Sequence, residues 1–186
     1  METMTDAVIR RAGAADAETL STLSAATFSA TFAHLYPPSD LAAFLGESYA
    51  VERSRAQLAD PAIATWLMEA QVAVGGAEGG AGGIEAVGYA MAGPCALPHP
   101  DVTPECGELK RIYMLPAWQG GGRGSRLLAT ALAWLEARPR GALWIGVWSQ
   151  NLGAQRLYER MGFTKVGEYE FRVGETRDHE FILRRG

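Results

Sequence analysis

The run Gln119-Gly120-Gly121-Gly122-Arg123-Gly124-Ser125 sets four glycines and one arginine between an apolar segment ending at Pro116 and a helical pattern that begins at once. A helix N-terminus leaves backbone N–H groups unpaired and carries about half a positive charge. Glycines there let the main chain bend into a concave nest and approach a ligand with no Cβ in the way. Arg123 adds a fixed charge. The chemistry this layout suits is the holding of a phosphate or pyrophosphate. A P-loop is excluded, because Ser125 and Arg126 stand where a Lys followed by Ser or Thr is required. A dinucleotide fingerprint wants an acidic residue about 20 positions on. Glu136 is nearer and lies inside the same helical pattern.

Other reactive side chains are sparse. The two cysteines, Cys95 and Cys106, are too few for a disulfide framework or a zinc site and read as free thiols. His34, His99 and His179 are scattered without metal-ligand spacing, so no metal is expected. The net charge of −4 shows no basic footprint for nucleic acid. No apolar run approaches the roughly 20 residues of a membrane span. Asp6, Asp16 and Glu18 interrupt the first residues, with no basic-then-apolar order of a signal peptide. A cytoplasmic protein with no membrane partner is expected. Its 186 residues, 48% hydrophobic, suit one domain over 1–186.

The elements that position the glycine run follow from pattern. Asp6–Ala12 reads as a strand, and Ala14–Tyr36 as a helix capped by Asp16. A second helix is expected from Leu41, capped by Asp40 and continuing to Pro61. Ala64–Val74 and Glu85–Gly93 read as hairpin strands. The glycine-rich Gly75–Gly83 between them reads as a flexible tip, since no helix follows it. Gly107–Leu115 is a strand, and Ala142–Gln150 an apolar, buried one. A short helix follows from Asn151, its start drawn towards Ala154 by Gly153 and its end closed by Gly162. Two strands complete the chain. The fold class is a mixed α/β (α+β) domain without internal repeats.

At this point the residues resemble the GNAT superfamily of N-acetyltransferases. Its signature is Arg or Gln, two variable residues, Gly, one variable residue, then Gly or Ala. Gln119, Gly122 and Gly124 match it, behind an Ile112-Tyr113-Met114-Leu115-Pro116 run of the expected kind. Asn151, Ala154, Tyr158, Gly162 and Phe163 match a second block. Gly120 and Gly121 occupy positions the signature leaves variable. Phe28–Leu45 resembles the acceptor wall of bacterial polyamine and small-amine members.

The resemblance implies a mostly antiparallel seven-stranded sheet with a splayed parallel pair and flanking helices. It implies acetyl-CoA as cosubstrate, bound between the strands of that pair. Main-chain groups of Ile112, Tyr113 and Met114 would pair with the pantetheine arm. The stretch Gln119, Gly120, Gly121, Gly122, Arg123, Gly124 and Ser125 would hold the pyrophosphate, with Asn151 near the thioester end. The acceptor would be an amine of a small molecule or a peptide, and assembly as a homodimer stays open. At pH 7 only about 0.04% of a lysine-like amine is neutral, and freeing it costs about 4.6 kcal/mol, so a base is useful. Glu108 resembles the catalytic glutamate of histone-acetylating members. Met114 N–H would face the tetrahedral oxygen, and Tyr158 would protonate or hydrogen-bond the leaving thiolate. A non-catalytic acyl-CoA-binding module, or a transferase of longer acyl groups, are the alternatives.

Overall fold

The computed structural model describes residues 7–72, 83–138 and 141–186. Of the expected glycine-rich hairpin tip, residues 75–82 lie outside the described residues. The strands are β1 (Val8–Arg11), β2 (Ala64–Val72), β3 (Gly83–Pro94), β4 (Gly107–Met114), β5 (Leu143–Trp148), β6 (Thr164–Val173) and β7 (Thr176–Arg185). The helices are α1 (Ala17–Phe32), α2 (Pro38–Ser48), α3 (Val51–Ala59), α4 (Arg123–Glu136) and α5 (Leu152–Arg160). The strands form one seven-stranded sheet in the order β1-β2-β3-β4-β5-β7-β6. β4 and β5 pair in parallel, and every other neighbouring pair is antiparallel.

Both faces of the sheet are covered, as strand alternation requires. On one face Leu127, Leu128, Ala131, Leu132 and Leu135 of α4 bury against Met68, Ala90, Leu109, Ile145 and Val147. On the other, Leu20 and Leu23 of α1 meet Leu67, Tyr89 and Met91. Leu67 and Met68, adjacent in sequence, thus serve opposite cores. An aromatic cluster of Phe28, Phe32, Tyr36 and Tyr49 extends the α1 side towards β6.

The feature that makes a site possible lies between β4 and β5. Their parallel pairing runs only from Gly107 opposite Leu143 to Leu109 opposite Ile145. The next residue, Lys110, is the extra one in a bulge, because β3 pairs Met91 with Arg111 and Ala92 with Leu109. A bulge bends its strand and strengthens its twist. β4 turns aside where the pairing stops, and the two strands open into a V.

The starts of α2, α3 and α5 differ from the sequence reading, and α1 follows Asp16 without the expected cap bond. Asp16 does not cap α1; its carboxylate accepts the Gly13 N–H at 2.7 Å and two bonds from Arg10. α2 begins at Pro38, whose fixed φ suits the first turn, so Asp40 lies inside the helix. It ends at Ser48, and α3 is separate because the chain extends at Ala50 (ψ 146°). α5 begins at Leu152 rather than Ala154, because the Asn151 side chain caps it at the Ala154 N–H, 3.1 Å away.

Candidate active site

The open V encloses a cleft of about 560 Å³. β4 contributes Leu109 to Met114, β5 contributes Ile145 to Trp148, α1 Thr31 and Phe32, and α5 Ala154, Leu157 and Tyr158.

At the wide end of β4 the glycine run turns sharply. Gly120, Gly121 and Gly122 have φ of 83°, 59° and 76°, the left-handed region that L side chains rarely adopt. This accounts for the two glycines that the signature leaves variable. Gly122 is the N-cap of the 14-residue α4. Among the described residues, the N–H groups of Gly120, Gly121, Gly122, Gly124 and Ser125 have no hydrogen-bond partner. Unpaired N–H groups beside the positive end of a helix are the kind of arrangement that suits an anion. Gln119, Gly120 and Gly124 line the cleft itself, while Gly121, Gly122, Arg123 and Ser125 do not. Arg123 lies over the Trp118 ring at 5.4 Å.

Register decides which main-chain groups of β4 face the V. The Leu115 N–H bonds Val87 O on β3 at 2.9 Å. Successive residues alternate, so the N–H and C=O of Met114 and of Ile112 point into the V. Gln119 Nε2 donates to Met114 O at 3.3 Å and braces the strand end against the glycine turn. Tyr113 also lines the cleft; by the same alternation its main chain faces β3, and its ring packs with Phe32 at 6.3 Å on the α1 side.

Asn151 lines the cleft, and its Oδ1 is spent on the α5 cap, which leaves its Nδ2 hydrogens for the cleft. Gln155 Nε2 bonds the Trp148 and Ser149 carbonyls at 3.1 and 2.9 Å and fixes this turn to β5. Asn151→Ala should cost about 1 kcal/mol of stability through the lost cap, read as a lowered urea midpoint at unchanged m.

Tyr158 is buried against Phe163, and its hydroxyl has no hydrogen-bond partner among the described residues. Burial, with the Glu180 charge second, pushes its pKa up, so it stays a donor across the accessible pH range.

Glu108 is not brought to the cleft. Its Oε2 accepts the Ala96 N–H at 2.9 Å and Lys110 Nζ at 3.0 Å, tying β4 to the β3–β4 connection. The carboxylate that does line the cleft is Glu180 of β7, which the sequence reading missed. It pairs with Trp148 of β5 and Tyr169 of β6. Burial first pushes its pKa up to about 7; the Tyr169 hydrogen bond opposes and the Asp178 charge adds to the rise. Its sequence signal is an acid directly leading the apolar Phe181-Ile182-Leu183. The presumed acceptor wall is mostly core. Phe28, Tyr36 and Tyr49 are buried together, and only Thr31 and Phe32 of that region reach the cleft. Among the described residues no group of three or more His, Cys, Asp or Glu side chains could hold a metal, and no helix could span a membrane.

The acetyltransferase (GNAT) family model matches residues 32–163. An uncharacterized N-acetyltransferase in the pepI 3' region of Lactobacillus delbrueckii subsp. lactis is 27% identical over 163 residues, 88% of this chain and 87% of the relative. An uncharacterized N-acetyltransferase of Mycobacterium tuberculosis is 30% identical over 174 residues, 90% of this chain and 96% of the relative. Among solved structures, the paiA N-acetyltransferase of Thermoplasma acidophilum in complex with coenzyme A superposes with a TM-score of 0.70 at 18% identity, covering 97% of this chain and 98% of that one.

Proposed function

This chain belongs to the acetyltransferase (GNAT) family, and from that premise we propose that it moves the acetyl group of acetyl-CoA to a primary amine of a small molecule or peptide. The amine attacks directly, with both substrates bound, in one transferase unit over residues 1–186. The observation that carries the reading is the V between β4 and β5, open beyond Leu109 and ending at the left-handed glycine turn.

Each group then has a task. The free N–H groups from Gly120 to Ser125 take the pyrophosphate, and Arg123 can swing from Trp118 to join them. Main-chain groups of Ile112 and Met114 pair with the pantetheine arm as an added strand would. Met114 N–H sits where charge grows on the carbonyl oxygen. The Asn151 amide donates near the thioester. The Tyr158 hydroxyl hydrogen-bonds the departing sulfur.

Calorimetry with acetyl-CoA tests the cosubstrate, and thiol release across an amine panel tests the transfer. Micromolar binding with amine-dependent thiol release is expected. Binding without release for any amine would favour the non-catalytic alternative, and no binding at high micromolar concentration would end the reading.

A further inference from the structure

We infer that Glu180 is the general base of this site: the acceptor enters from the α1 side as an ammonium ion, between Glu180, Trp148 and Phe32, and gives its proton to the Glu180 carboxylate, which Tyr169 holds in place. This rests on the acetyl-transfer reading above.

The cleft itself narrows the choice. Its titratable lining residues are Lys110, Arg111, Tyr113, Tyr158 and Glu180. Among these only Glu180 is a carboxylate, and burial keeps both tyrosines protonated. The histidines do not line the cleft.

Glu180 also lacks what a structural carboxylate has. Among the described residues no Lys, Arg or His forms an ion pair with it, and it is only partly exposed. A carboxylate withdrawn from water without a cation is costly, and a cationic ligand relieves that cost. Glu108, by contrast, has Lys110 at 3.0 Å.

Its position is built rather than incidental. Tyr169 Oη donates to Glu180 Oε2 at 3.1 Å, leaving Oε1 for the acceptor. Tyr169 reaches there only because position 146 on β5 is glycine, since a Cβ would stand 2.7 Å from its hydroxyl. Trp148, opposite Glu180 in register, meets Phe32 edge-on at 5.7 Å and His34 at 6.4 Å. Aromatic faces beside a carboxylate suit an ammonium ion.

The step balances. The ammonium gives one proton to Glu180, which returns it to solvent after turnover. The freed nitrogen forms the C–N bond as the C–S bond breaks. The second nitrogen proton ends on sulfur, whose growing charge the Tyr158 hydroxyl has held. Amide, thiol and one solvent proton are the products.

The groups facing Glu180 are Tyr169 from β6, Asp178 on β7, Tyr113 from β4, Tyr158 from α5, and Tyr36 after α1, whose hydroxyl bonds Asp178; of the cleft cations, Lys110 pairs with Glu108 and Arg111 lies over the Tyr49 ring. With burial as the largest influence, the carboxyl titrates at about 7. The base is active when ionised, so the rate should rise through that pH and fall below it.

The test measures kcat/KM against pH with acetyl-CoA and the fastest of phenethylamine, spermidine and an alanyl tripeptide. The wild-type rate tests the acetyl-transfer reading, and the variant-to-wild-type ratio tests Glu180. Glu180→Gln should lose about 100-fold at pH 7 and lose the acidic limb, with acetyl-CoA affinity unchanged as the folding control. Glu180→Asp should restore the limb at reduced rate. Tyr169→Phe removes a bond that stabilises the carboxylate, so its limb should move to higher pH. A Glu180→Gln enzyme that keeps the limb, or loses less than about threefold, overturns the assignment.

Discussion

Tyr158→Phe is expected to lower kcat about 300-fold and to leave acetyl-CoA affinity within about twofold. The ring packs edge-on to Phe163 at 6.5 Å, and phenylalanine keeps that contact, so the fold should be undisturbed. What is lost is the hydroxyl of a residue that lines the cleft. Burial raises its pKa, which makes it a poorer proton source than a free phenol. The same burial makes it a permanent hydrogen-bond donor in a low-dielectric site, where a donor to a developing charge counts most. A thiol with a pKa near 8.5 leaves with most of a negative charge, so the donor acts at the transition state. The loss should therefore fall on kcat rather than on binding. Continuous thiol release measures kcat, and calorimetry measures affinity. A loss below about threefold would mean that water serves the sulfur equally well. An equal loss in affinity would mean that the hydroxyl supports ground-state binding.

Much of this site could be read from sequence because its markers are local. A proline, a glycine run and a helical pattern fix the β4–loop–α4 order without tertiary information. What escaped depends on parity. In a regular strand Leu109 and Ile112 would face opposite sides, yet both contact the same core, with Met114. The extra residue at Lys110 resets the alternation, and no propensity at Gly107–Met114 announces it. Glu108 lies before the reset, so its direction could not be inferred from residues after it. Glu180 escaped for another reason. Alternation puts it on the face of Ile182, but only the neighbouring Trp148 and Gly146 decide whether that face holds core or cleft. The break between α2 and α3 was hidden because Tyr49 is apolar enough to continue a helix. It leaves the helix to join Phe28 and Phe44 in the aromatic cluster.

Gly120→Asp should weaken acetyl-CoA binding about a thousandfold while costing only about 1 kcal/mol of stability. Gly120 has a φ of 83°, and a Cβ there would meet no atom within 4 Å. Space is thus available, and strain comes from the backbone alone. Aspartate is among the few L residues that visit the left-handed region, which keeps that strain small. The charge is the active part. Two unit charges about 4 Å apart at an effective dielectric near 20 repel by about 4 kcal/mol, close to a thousandfold in affinity. Gly120→Asn separates the causes, because it carries the same shape and tolerance without the charge. It should weaken binding by no more than about tenfold. Added salt screens an exposed charge, so the gap between the two variants should narrow as ionic strength rises. Equal losses in both would assign the effect to the bent main chain. No loss in either would move the pyrophosphate away from this turn and leave three consecutive left-handed glycines without a ligand to explain them.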